Sequence, residues 1–213
     1  LNRILRKEGY IDIRLERGLE LLDAGASDAF AVADHQVAHV YVKDPTLKPK
    51  VKALLEKVEG VEKVLSDNEI VKANLNHDRC GDLVVFSDKD SWFTYYFWLD
   101  DKKAPDYARM VDIHKKPGYD PVEMLTDPKD KLVMLKVIWK LLKKKLGFRT
   151  VLDIIPLDAT LIKGSHGRIP ESKEDYPILI SNNTELELPT AIDATDVFGV
   201  LERHVLGTTD NRS

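Results

Sequence analysis

Cysteine is nearly missing: Cys80 is the only one among 213 residues. No disulfide can close within the chain, and a thiolate metal cluster is excluded. No apolar run approaches the ~18 residues that a membrane-spanning helix requires, and the opening LNRILRKEGY lacks the apolar core of a secretory signal. These absences lead to the expectation of a reducing, cytoplasmic setting without membrane attachment. Basic excess is missing too, since a net charge of -4 withholds the electrostatic footprint of a nucleic-acid surface. There is no G-x-S-x-G elbow and no Gly-rich phosphate loop ending in Gly-Lys-Ser or Gly-Lys-Thr. No Ser, Thr or Cys stands in a convincing nucleophile setting. The chain starts at Leu1 rather than at methionine, and it is expected to be a segment of a longer polypeptide.

What remains is ordinary globular material, 43% hydrophobic and 32% charged, long enough for one domain or two small ones. Leu1, Ile4 and Leu5 have helical spacing that stops at Gly9, and a polar connection is expected after it. DAFAVA (28–33) and VAHVYV (37–42) read as strands around an Asp34-His35-Gln36 bend. Val51, Leu54, Leu55 and Val58 share one helix face. VEKVL, DLVVFS and WFTYYFW read as strands, with DNEIVKANL as a short helix, so residues 45–100 are expected to form a small inserted α/β unit. Residues 101–128 lapse into Lys, Asp, Pro and Gly, a long aperiodic stretch expected to lie near a functional site. The helix DKLVMLKVIWKLLKKKLG should bury Leu132, Leu135, Ile138, Trp139 and Leu142, hold its lysines in solvent and stop at Gly147. VLDIIP and YPILIS read as strands, and TDVFGVLERHVLG as a closing helix running from near Asp196 to Gly207. Alternating strands and helices predict an α/β sheet with helices on its faces, and in such sheets ligands collect at the carboxyl ends of strands.

Four places carry side chains capable of chemistry. Asp34 and His35 interrupt an apolar run; a carboxylate beside an imidazole suits Zn, Mn or Fe, although a turn-capping Asp and a hydrogen-bonded His would look the same. Gly164-Ser165-His166-Gly167 sets an imidazole between glycines that free the backbone, and taken alone it reads more readily as a surface loop. In DIHKKPGYDP, His114 sits within the longest aperiodic stretch, and Lys115, Lys116 and Tyr119 could reach a phosphate. In HDRCGDLVV, Asp78 and Arg79 set a turn, and Cys80 reads as a small buried residue. His39 reads as a core or supporting histidine, and His204 as structural.

Taken in order, ADHQVAHVYV, HDRCGDLVVF, DIHKKPGYDP, PLDATLIKGSHGRIP and ATDVFGVLERHVLG resemble the alkaline phosphatase superfamily, in its type I phosphodiesterase and nucleotide pyrophosphatase branch. The likeness is to the C-terminal half and covers nearly all of residues 1–213. It implies an alkaline-phosphatase-like α/β/α sandwich portion, and a site for two divalent metal ions, usually zinc, at the strand ends. By that resemblance Asp34 and His35 bind one metal and His166 binds the other; His114, from its place in the aperiodic stretch, is expected to line the pocket of a small-molecule phosphate ester. Two cations ~4 Å apart stabilise both the attacking and leaving oxygens of an in-line displacement. The family's Thr or Ser nucleophile and its earlier metal ligands have no counterpart in the 33 residues before Asp34. The expected partner is therefore a missing N-terminal half or a complementary chain. The alternatives are a catalytically incomplete scaffold with a binding or assembly role, and a sulfatase or phosphonate hydrolase relative.

Overall fold

The periodicity at the start becomes helix α1 (Asn2–Lys7), which ends as Gly9 takes a φ of +82°. The structure, a computed structural model, describes residues 1–111, 115–182 and 188–206. After α1 comes a hairpin instead of the expected polar connection: β1 (Asp12–Glu16) pairs antiparallel with β2 (Leu19–Asp23). Its two-residue turn has Arg17 at φ 52° and Gly18 at φ 81°. Left-handed residues at both turn positions match the twist of paired strands, but Arg stands where Asn or Asp usually signals that turn.

The next strands form where the β-rich runs predict, as β3 (Ala29–Asp34) and β4 (Val37–Val42), antiparallel with Asp34 opposite Val37. Helix α2 (Lys48–Leu55) buries Val51 and Leu55 and stops before Val58, the chain reaching Gly60 through turns. Strand β5 (Val61–Ser66), helix α3 (Asn68–Lys72) and strand β6 (Leu83–Ser87) follow. The five-stranded sheet runs β5-β6-β4-β3-β7, where β7 is the two-residue strand Gly118–Tyr119, parallel to β3. Residues 45–100 thus add β5 and β6 to the same sheet that carries β3 and β4. Short 3-10 turns over Asp101–Lys103, Asp106–Arg109 and Pro121–Met124 punctuate residues 101–128. The mixed α/β class predicted from the sequence is the one observed.

Ala29, Ala31, Ala33, Ala38, Val40, Val42, Leu83 and Val85 alternate onto one buried face of the sheet. They share a hydrophobic cluster with Phe93, Tyr95, Phe97 and Trp98. These aromatics belong to WFTYYFW, which is not the strand its composition predicts. Its carbonyls go to side chains of α1 instead of a neighbouring strand: Asn2 donates to Tyr95 O at 3.2 Å, Arg6 to Phe97 O at 3.2 Å and Arg3 to Trp98 O at 2.7 Å. The small alanines leave volume that the large rings fill, in keeping with close-packed interiors.

Helix α4 (Val133–Lys145) forms as predicted, and Gly147 takes a φ of +87° beyond its end. Its apolar face, however, is not buried: Leu132, Leu135, Ile138, Trp139 and Leu142 are all exposed. VLDIIP contributes one bridge, Met110 to Asp153, rather than a strand. Pro170–Ser213 forms a second unit, with α5 (Val197–Leu206) starting directly after Asp196, as expected, and entered through a 3-10 turn that Asp193 caps by accepting from Thr195 N at 2.9 Å. Gly207 lies outside the described residues. YPILIS is irregular, with Ile178 and Ile180 exposed; among the described residues no strand pairs with it, so its β propensity finds no ladder. No described helix is long and apolar enough to cross a membrane.

Candidate metal centre

The β3-β4 turn consists of His35 and Gln36, with His35 left-handed at φ 54°. For an imidazole that conformation is uncommon, and the surroundings enforce it. Phe93 N donates to His35 O at 2.7 Å, Ser87 N donates to Gln36 O at 2.9 Å, and Gln36 N donates to His166 O at 2.9 Å. The Gln36 carboxamide donates to Asp88 O at 3.2 Å and Ser91 O at 3.1 Å, tying the turn to the loop after β6. Gly167, at φ 111°, lies so close to Asp34 O and Val37 that a Cβ there would meet Val37 Cγ1 at 3.3 Å. That close approach brings the 164–167 loop against the end of β3.

The result is one group of donors. Asp34, His35 and His166 each offer a ligand atom, all within 4.8 Å of one another; Asp34 and His166 are exposed and His35 is buried. The two imidazoles stack with centroids 3.9 Å apart, and the Tyr119 ring stacks on His35 at 5.1 Å. His35 Nδ1 lies 2.8 Å from Ser165 Oγ, and its Nε2 is buried without a hydrogen-bond partner. Burial pushes the His35 imidazole below its ordinary pKa; His166 adds to that push and the Asp34 carboxylate opposes it.

A neutral imidazole that donates from Nδ1 to Ser165 presents a bare lone pair at Nε2, the state in which histidine binds metal. One carboxylate and two imidazoles suit Zn, Mn or Fe, and the unpartnered buried nitrogen fits a cation better than an empty interior. Among the described residues no second group of three such donors comes together.

Residues 1–120 match the family described as type I phosphodiesterase / nucleotide pyrophosphatase, which is more than half of the 213-residue chain. The chain belongs to this family. The match includes Asp34 and His35, while His166 lies beyond it. No curated protein matches the chain. The family resemblance read from the motifs is thus met over residues 1–120.

Other candidates fall elsewhere. His114 lies outside the described residues. Lys116, expected near a phosphate, has a fully buried side chain ion-paired with Glu123 and 3.6 Å from Asp120. His39 Nδ1 accepts from Gly81 N at 3.1 Å and faces Cys80 Sγ at 3.6 Å, and His39 is not a member of the donor group. Asp78 and Arg79 lie in a turn closed by Cys80 N donating to His77 O at 2.8 Å, and Cys80 is only partly buried. His204 lies on α5. Ser165 and Gln36 support the site although neither stood out on its own. The signal for Ser165 was its place beside His166; for Gln36 it was membership of the two-residue turn.

Proposed function

We propose that this chain supplies part of the metal centre of a phosphoric ester hydrolase of the phosphodiesterase or nucleotide pyrophosphatase type. Family membership supports the reaction class, and the observation that carries the reading is the buried, unpartnered Nε2 of His35 beside Asp34 and His166. These three residues would hold divalent metal, zinc being the first choice for one carboxylate and two imidazoles. A metal bound there would supply Lewis-acid charge to the phosphoryl oxygens during displacement. Ser165 Oγ, 2.8 Å from His35 Nδ1, would accept from it and so hold the tautomer that leaves Nε2 bare, and Gln36 anchors the turn that carries His35. His114 is the candidate for contact with a small phosphate ester.

The nucleophile and the remaining ligands of a second metal come, on this reading, from a completing polypeptide, either the rest of a longer chain or a partner. The uncovered apolar face of α4 supports such a partner, because apolar patches of this kind mark interaction surfaces.

Calorimetry with zinc tests the site directly. The chain should bind zinc, and His35→Ala or His166→Ala should weaken that binding by more than the roughly tenfold that loss of a contact supporting a ligand costs. Equal affinity in both variants would overturn the assignment. In the completed protein an aryl phosphodiester should be hydrolysed, and His35→Ala should abolish turnover. Zinc binding without hydrolysis of phosphate, sulfate or phosphonate esters would instead favour the scaffold reading.

A further inference from the structure

Tyr119 reaches His35 from a segment with an unusual support. Strand β7 is only two residues long, and Gly118 lies so close to β3 that a Cβ there would stand 2.3 Å from Ala33 O, at a φ of +128°. Two hydrogen-bonded residues on a sheet edge would fray unless something held them. The flanking residues provide that hold. Lys116, before the strand, and Asp120, after it, lie 3.6 Å apart with side chains 0% and 1% exposed, and Lys116 also pairs with Glu123. Asp120 Oδ1 accepts from Val122 N at 3.1 Å, fixing the turn that follows. The Lys116 ammonium stands 5.6 Å from the centroid of the Tyr95 ring, in the aromatic cluster.

Buried charges are costly, and pairing them is weak support for stability alone. Their better-attested use is to fix one arrangement among several. Here the arrangement fixed is the register in which Tyr119 stands opposite Asp34 and lays its ring nearly parallel to His35, at 21° between planes. The ring remains 41% exposed, so it is not held there by burial. A phenol ring carries negative charge on its face, which favours an imidazole made electron-poor by a bound cation. Ser165 restrains one nitrogen of His35, and Tyr119 restrains the plane of the ring.

We infer that Tyr119 is a positioning residue for His35, set in place by the buried Lys116–Asp120–Glu123 ion cluster that closes β7 from both sides. The inference deepens the metal-centre reading and rests on it for its first readout, zinc affinity. Its second readout is free of metal: the nitrogen-15 shifts of the His35 ring, which report whether one tautomer is held.

Tyr119→Leu should weaken zinc binding on the order of tenfold, as loss of a supporting contact to a metal ligand does; because a freed ring plane loosens the Nδ1 contact with Ser165, it should also let the His35 tautomers average in the metal-free chain. Tyr119→Phe keeps the ring and should change either readout less than about twofold, well inside that tenfold scale. Lys116→Met should reproduce the Tyr119→Leu result, and combining the two should add little, because they act through one path. A Lys116→Met chain that loses thermal stability yet keeps zinc affinity and a single tautomer would overturn the role of the ion cluster. Tyr119→Leu indistinguishable from wild type would overturn the role of the ring. If wild type binds no zinc, the metal reading fails, and the tautomer readout alone decides the positioning of His35.

Discussion

Asn2 is fully buried and behaves as a piece of strand made from a side chain. Its carboxamide donates to Ala31 O at 2.8 Å and accepts from Ala31 N at 2.8 Å, so it pairs the outer edge of β3 where β7 does not extend. Unpaired edge groups inside a core are expensive, each costing about 1–3 kcal/mol. Asn2→Leu should therefore lower unfolding stability by about 3 kcal/mol, since it orphans the amide and carbonyl of Ala31 and weakens the hold on Tyr95 O. A urea titration of the two chains reads this, and an unchanged midpoint would mean that the carboxamide is dispensable. Nothing in LNRILRKEG marks Asn2 for that duty, because its partners lie 29 and 93 residues away. Asp34 and His35 were legible for the opposite reason: they break an apolar alternation at a strand end, a purely local sign. Tyr119 and Ser165 became contacts of His35 only through folding, so their identities alone could not pair them.

Elements with a strong period were legible and those defined by their neighbours were not. Val51 and Leu55 bury themselves on α2 as the 3.6-residue spacing demands, and β3 and β4 alternate buried with half-buried positions, while β6 buries Leu83, Val84 and Val85 in succession. WFTYYFW failed as a strand because α1 took its carbonyls, and the β1-β2 hairpin escaped notice because Arg17 occupies a turn position that favours Asn or Asp. Helix α4 shows the same divide: its helicity was readable, its burial was not. Ile138 is 57% exposed and Trp139 56%, so these side chains contribute little to the chain's own stability. Leu135→Gln with Ile138→Gln should leave the unfolding free energy from urea titration within about 0.5 kcal/mol of wild type, as surface substitutions do. The same pair should reduce self-association in sedimentation, since exposed apolar patches drive it. A large loss of stability would show that α4 is packed in solution.

The molecule as a whole should lose stability in mild acid. Burial lowers the pKa of both His35 and His39, with Asp34 opposing the shift in each. Unfolding lets these imidazoles take up protons near their usual ~6.5, while the folded chain resists. Their contribution is thus fully present above about pH 6.5 and fades as the pH falls through the lowered folded values. Metal-free chain should show a falling urea midpoint from about pH 7.5 to 5, and replacing both histidines by glutamine should flatten that slope. A slope unaffected by the replacement would assign the effect to other groups. The bond from His35 to Ser165 spans 130 residues, and that distance along the chain orders events in time. Closing so large a loop costs entropy that only a nearly finished fold repays. The donor group should consequently be among the last features to assemble, and a cation arriving early in folding would then meet scattered side chains rather than a template.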